Sequence, residues 1–305
     1  MNRKLFIVFF LLILLGLTYG ILSTLPDGKL HIIFCNVGQG DGAYIKNPNG
    51  TDMIIDGGPD NTILACLGRH MPFYDRTIDT VLLTHPQKDH MQGLISVVER
   101  YSVRHFVIGN EANTTEGYFN LISSLKKKGT PLHTLYAGDK FQMGSVDYDV
   151  IWPSMSWVRS HIEASSSSLN TLALRNGQVF GTATSNNFND FSYVIHIRFN
   201  DFDTLFTGDG DEKIQPEIMR NVSIPSVEVL KFPHHGSKTG ISKEFLEKLS
   251  PQFSVISVGK NSYGHPSKEA IDLLNSEHIN YRRTDQHGDI EVVSDGEKWS
   301  YKTQK

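Results

Sequence analysis

Apolar runs that stop at glycine, aspartate or histidine recur along this chain. Leu30 to Val37 reads as a buried strand and runs into Gly38-Gln39-Gly40-Asp41-Gly42. Ala43–Lys46 and Asp52–Ile55 flank the turn Asn47-Pro48-Asn49-Gly50, and the second of them closes in Asp56-Gly57-Gly58. Such Gly/Asp turns allow close backbone packing at a strand end. Val81-Leu82-Leu83 is another buried strand, followed by Thr84-His85-Pro86-Gln87-Lys88-Asp89-His90. Apolar spacing predicts helices at Thr62–His70, Gln92–Tyr101 and Tyr118–Lys128. Strands are expected at His105–Ile108, His133–Tyr136 and Val146–Trp152.

The pattern weakens from Ser154 to Asn187. This stretch contains Ser165-Ser166-Ser167-Ser168 and reads as a long exposed loop or flap, with a hairpin of Leu169–Leu174 and Gln178–Ala183. Order returns in strands Ser192–Phe199 and Asp203–Thr207, the latter ending in Gly208-Asp209-Gly210. Val227–Phe232 ends in Pro233-His234-His235-Gly236-Ser237. Phe253–Val258 leads to a turn holding His265. Helices at Lys243–Leu249 and Lys268–Ser276, a short strand at Tyr281–Arg283 and a hairpin of Ile290–Val293 with Trp299–Lys302 complete the chain. Alternating strands and helices predict a layered α/β domain with no break after residue 28.

The N-terminus breaks the rhythm. Arg3 and Lys4 precede an apolar run from Leu5 to Leu17, interrupted only by Gly16 and extended through Leu22. Residues 1–25 therefore read as a single-pass signal-anchor in the cell membrane, with the alternative of a cleaved signal peptide and a secreted protein. The basic residues stay cytoplasmic, which places the remaining domain outside. Outside the cytoplasm a single disulfide is allowed, but Cys35 falls in a strand and Cys66 in a helix, so both are expected as buried free thiols.

The chain has 305 residues, 39% of them hydrophobic, and a net charge of −4. That excludes a protein gripping nucleic acid by overall positive charge; such a partner must be held locally. Lys231, Lys238 and Arg283 are the cations expected near the site.

Candidate chemistry sits at the strand ends: His85, Asp89 and His90; Asp209; His234 and His235; His265. Imidazole and carboxylate ligands gathered at one sheet edge, with a position left for water, suit a hydrolytic divalent-metal site. The order of the motifs FCNVGQGD, IIDGG, LTHPQKDHMQGL, NDFS, LFTGD, LKFPHHGS and ISVGKNSYGHPS, followed by YRRTDQHG, resembles the metallo-β-lactamase fold, and within it the hydrolase-like domain of ComEC-type competence proteins. The resemblance covers residues 29–302 and implies a four-layer αβ/βα sandwich behind one N-terminal hydrophobic helix. With a single hydrophobic segment, the chain is expected to be a stand-alone relative that is not itself a DNA channel.

The resemblance implies one or two Zn or Mn ions. Asp89 and His90 would hold the second metal and His85 the first, and one of His234 and His235 would complete the site, His235 by preference with His234 beside it. Asp209 would bridge both metals. Asp209, Asp89 and His265 would carry catalysis, His265 as phosphate contact or proton donor. Asp56 would orient a ligand histidine, and Asp41, Asn189, Ser192 and Ser237 would support the site or touch substrate. Gln87 departs from the pattern: the fold generally has His there, and the ComEC branch an acidic residue. A neutral amide is a weaker ligand, so the first metal is expected to bind less tightly.

The expected function is metal-dependent hydrolysis of a phosphodiester in DNA or RNA. One alternative is a lactam, lactone or thioester hydrolase on the same fold. Another is a membrane-tethered binding protein whose catalysis has lapsed.

Overall fold

A computed structural model describes residues 3–22, 25–163, 181–184 and 186–305. Helix α1 spans Arg3–Leu22. The strands then build two sheets. The first has eight strands: β1 (Leu30–Phe34), β2 (Gly42–Lys46), β3 (Asp52–Gly57), β4 (Thr77–Leu82), β5 (Ser102–Val107), β7 (Leu132–His133), β16 (Ile290–Ser294) and β17 (Trp299–Thr303), in the order β17-β16-β1-β2-β3-β4-β5-β7. The second has seven: β8 (Lys140–Met143), β9 (Val146–Trp152), β11 (Val194–Phe199), β12 (Phe202–Phe206), β13 (Val229–Lys231), β14 (Phe253–Ile256) and β15 (Asn280–Arg283), in the order β15-β14-β13-β12-β11-β9-β8.

Each sheet is antiparallel on one side and parallel on the other. Strands β3, β4 and β5 run parallel, with Ile54 opposite Val81 and Val81 opposite Phe106. Strands β12, β13 and β14 do the same, with Leu205 opposite Leu230 and Leu230 opposite Ser254. Parallel neighbours need crossovers, which helices supply. On the first sheet these are α2 (Ile63–His70), α3 (Lys88–Arg100) and α4 (Glu116–Lys128). On the second they are α6 (Gln215–Asn221), α7 (Lys243–Leu249) and α8 (Lys268–Ser276).

Three apolar clusters account for the layering. Ile32, Ile45, Ile195 and Phe253 fill the space between the sheets. Ile54, Val81, Leu94 and Leu121 seal the first sheet to its helices, and Leu205, Leu230, Phe245 and Leu274 seal the second. The result is an αβ/βα sandwich.

Most of the expected elements are present, with several corrections. Helix α3 begins at Lys88 rather than Gln92, so Asp89 and His90 lie in its first turn. Met155–Glu163, expected as loop, forms helix α5, because Val158 and Ile162, one turn apart, pack on Phe191. Residues 164–180, with the serine tract and most of the expected hairpin, lie outside the described residues. Thr182–Ala183 (β10) pairs instead with Glu111–Ala112 (β6), in parallel. A last short helix, α9, covers Thr284–His287.

Cys35 and Cys66 are joined in a disulfide, not free as expected. Their Cα atoms lie 5.8 Å apart, inside the bridging range. The sequence places one in a strand and one in a helix; only the seating of α2 on the sheet shows that the two side chains meet. The Cys66–His70–Asp289 group is for the same reason no ligand set, since Cys66 is consumed.

Ile7 to Leu15 of α1 are all exposed. Among the described residues no helix is long and apolar enough to cross a membrane. Several side chains within residues 5–22 lie outside the described set, so the anchor rests on the sequence alone.

Candidate metal centre

The parallel strands of both sheets end at one edge, where parallel α/β architectures place their ligands. Asp56 ends β3, His85 follows β4, Asp209 follows β12, and His234 and His235 form a 3₁₀ turn after β13. Helix α3 is drawn in closely: a Cβ on Gly93 would collide with the Gly57 carbonyl, and one on Gly40 with the Asp89 carbonyl. Glycine at these two points lets the first turn of α3 reach the end of β3. Asp56, His234 and His235 adopt left-handed backbone, with φ of 60°, 51° and 53°. Non-glycine residues held so cluster at functional sites.

Asp89, His90, Asp209 and His235 each turn one ligand atom inward, all within 4.8 Å of one another. His90 donates from Nδ1 to Asp56 Oδ2 at 2.8 Å, leaving Nε2 facing Asp209 Oδ1 at 3.3 Å. His235 Nδ1 lies 3.0 Å from the Ser257 carbonyl and 3.2 Å from Asp41 Oδ1. Its Nε2 faces Asp89 at 3.4 Å and Asp209 at 3.5 Å. Neither Nε2 has a hydrogen-bond partner, nor does Asp209 Oδ1, and all three are buried. Buried polar atoms are rarely left so. Two imidazoles oriented through their far nitrogens, with two carboxylates between them, fit a divalent cation.

The charges agree. Burial alone would raise the Asp209 carboxyl, but the His235 and His90 imidazoles hold it well below the usual range. Burial would lower His235, yet Asp209 and Asp41 push it up to about 10. His90 is likewise raised well above its ordinary value against burial, by Asp209 and Asp56. Protons on these imidazoles and a bound cation are two ways to neutralise the same carboxylates.

The other expected residues fall as follows. His85 lies beside the cluster, its ring 4.1 Å from His90, but outside the converging set. Both its nitrogens are bonded, to Gln87 Oε1 and to Ser192 Oγ, each at 2.9 Å. His234 Nε2 is 3.8 Å from Asp209 and 3.4 Å from Asn189 Nδ2. Ser237 bonds Thr239 and makes no hydrogen bond to the cluster among the described residues. His265, with Gln39, Gln87, Lys88, Asn189, His234 and Tyr263, lines a cleft of 370 Å³ over Asp89, Asp209 and His235.

Two local cations are corrected. Lys231 is buried, pairing with Asp41 and donating to the Gly208 carbonyl, so it supports the interior. Arg283 is bound to Asp285. Exposed Lys88 lines the cleft instead, with no ion pair among the described residues. Sequence reasoning also missed Thr84, whose hydroxyl donates to Asp56 Oδ2 at 2.7 Å and whose N–H donates to Oδ1 at 2.8 Å. Its position before His85 was the available signal. The Ser257 carbonyl had none, because a backbone acceptor carries no residue signature.

The sandwich is the metallo-β-lactamase fold, and its edge carries a group of side chains suited to metal. The solved structure of CmlA, a diiron β-hydroxylase from Streptomyces venezuelae, is similar, with a TM-score of 0.52 at 15% identity, covering 88% of this chain and 54% of that one. At that identity the likeness concerns the fold alone, and folds of this kind do not choose a reaction.

The resemblance to ComEC-type competence proteins is likewise found among curated sequences. ComE operon protein 3 of Bacillus subtilis is 26% identical over 283 residues, spanning 87% of this chain and 33% of that protein. Competence protein ComA of Neisseria gonorrhoeae is 22% identical over 289 residues, spanning 88% and 33%. The chain thus matches about a third of the length of these relatives. No family model matches it.

Proposed function

We propose that the protein is a divalent-metal-dependent hydrolase that cleaves phosphodiesters in nucleic acid, held outside the cytoplasmic membrane by residues 1–25. The convergence of the unpartnered His90 and His235 Nε2 atoms on Asp89 and Asp209 carries the reading. A bound Zn or Mn ion would supply a water of lowered pKa and offset charge on a phosphate oxygen. The protein's own part is to orient. Asp56 and Ser257 hold the two imidazoles, and Asp209 keeps its charge between them. His265 and Asn189 face the cleft where a phosphate would lie, and Lys88 adds positive charge at the rim. Burial, with His234 and His235 nearby, keeps His265 below the ordinary imidazole value. It therefore enters as a neutral group able to donate from one nitrogen.

Relatives named Competence protein ComA and Recombination protein 2 support a nucleic-acid substrate. The Cys35–Cys66 disulfide supports an oxidising compartment, and Arg3 and Lys4 ahead of the apolar N-terminal sequence support an anchor.

Metal analysis of the purified full chain, paired with hydrolysis of single- and double-stranded DNA and RNA across Mn²⁺, Zn²⁺ and Mg²⁺, tests the activity. Hydrolysis restored by one of these ions after chelation is expected. Bound metal with hydrolysis only of a lactam, lactone or thioester would move the protein to that class. Bound metal with no hydrolysis would leave a binding protein. Protease added to intact cells should degrade residues 29–305; full protection would reverse the orientation.

A further inference from the structure

His85 differs from its neighbours in having no nitrogen to spare. His90 and His235 each bond through Nδ1 and leave Nε2 without a partner. Both nitrogens of His85 are bonded, and the surrounding groups decide which one carries the hydrogen.

The Asp209 N–H donates to Ser192 Oγ at 3.1 Å. Ser192 is fully buried, so its own hydroxyl hydrogen needs an acceptor, and His85 Nδ1 lies 2.9 Å away. Thr84 Oγ1 is 3.1 Å from the same nitrogen, but its hydrogen is given to the Asp56 carboxylate at 2.7 Å. Nδ1 therefore accepts. A neutral imidazole with one accepting nitrogen carries its hydrogen on the other. That hydrogen sits on Nε2 and is donated to Gln87 Oε1 at 2.9 Å. An Nε2–H has no in-plane lone pair to offer a cation, and, unlike His90 and His235, whose Nε2 atoms face carboxylates, His85 frees that nitrogen only by taking from the buried Ser192 hydroxyl the acceptor it has here. The Gln87 oxygen is already in use, and its amide nitrogen is not a ligand.

From this chain of bonds we infer that the protein binds one divalent cation per molecule, at Asp89, His90, Asp209 and His235, and that Ser192 and Gln87 make His85 a positioning residue rather than a ligand. The inference rests on the metal-binding reading above and narrows it to a single ion. A carboxylate at position 87 would change the arrangement. It brings a negative charge and a free oxygen, and a cation there would favour the other His85 tautomer, with Nδ1–H donating to Ser192 Oγ.

The test uses the full chain in detergent, stripped by chelator and titrated with Mn²⁺ and, separately, Zn²⁺. One ion per chain at saturation is expected, with the paramagnetic resonance spectrum of isolated Mn²⁺. Gln87→Asp should take up a second ion, with Gln87→Glu as a second variant if the first does not fold. Nitrogen NMR of labelled histidine should place the His85 hydrogen on Nε2, a signature that a purely packing role would not set. Two ions or a spin-coupled Mn²⁺ pair in the wild type would overturn the inference, as would an Nδ1–H tautomer. One ion in a folded position-87 carboxylate variant would remove Gln87 from it. No ion in the wild type would defeat the metal reading itself, a different result from binding two.

Discussion

His85 and His90 leave the same strand–helix turn, both fully buried, with rings 4.1 Å apart. Their chemistry diverges because of what touches the far side of each ring. His90 has the Asp56 carboxylate on Nδ1 and Asp209 before Nε2, and both hold it well above its ordinary value despite burial. His85 has hydroxyls on one nitrogen and an amide on the other. With burial and the neighbouring His90 acting on it, it is pushed down to about 3. Burial alone decides neither charge nor role; the partner on the second nitrogen does.

Breaking the His90 side should have the largest effect. Asp209→Ala removes the carboxylate that faces both His90 and His235, and should weaken metal binding by more than the roughly 10–100-fold typical of losing an outer partner. His161→Ala, in helix α5, should leave metal content unchanged. Equal metal in wild type and Asp209→Ala, by elemental analysis after dialysis, would end the argument.

Asp56→Ala touches no ligand atom but frees the His90 ring. It should cost about 10–100-fold in metal affinity by competition with a chelating dye. An unchanged affinity would mean that His90 is held by packing alone.

The third effect is one of pH. His235 is pushed up to about 10 in the metal-free protein, so a cation must displace its proton. Apparent affinity should rise with pH through the neutral range, about tenfold per unit for each proton displaced. A raised imidazole value stabilises the metal-free fold fully below about 6.5, and that contribution is lost as pH rises through about 10. The thermal unfolding temperature should therefore fall with rising pH in this window for metal-free protein, and less steeply with metal bound. The same slope in both forms would contradict the exchange of proton for cation.

The smallest effect is expected on the His85 side. Gln87→Ala removes an acceptor from a ring that carries no charge, and metal affinity should change by less than about threefold, a fraction of a kcal/mol. A large loss would mean that Gln87 serves the bound ion directly.

Much of the centre was legible along the chain. Apolar runs specify buried strands without knowledge of their neighbours, and Asp209, His234 and His235 sit just past such runs. The helix start at Lys88 was harder to read. Asp89 and His90 fall in a polar stretch whose helical spacing begins only once Met91 and Leu94 are seen packing on the sheet. Helix α5 was hidden for a related reason, since its apolar side chains face a partner, Phe191, from a distant part of the chain.

The sequence by itself determined the layered α/β architecture and the strand ends that bear histidine and aspartate, because these depend on residue type and local spacing; the departure at Gln87 shows only against the family that the sequence resembles. The tertiary structure alone decided the Cys35–Cys66 bridge, the burial of Lys231 and the split between His90 and His85. Each depends on which atom of a side chain meets which atom of a residue remote in the chain. Spacing can bring a histidine to a strand end. Which of its two nitrogens remains free is settled by Asp56, Ser192 and Ser257, and only folding brings those three to the same edge.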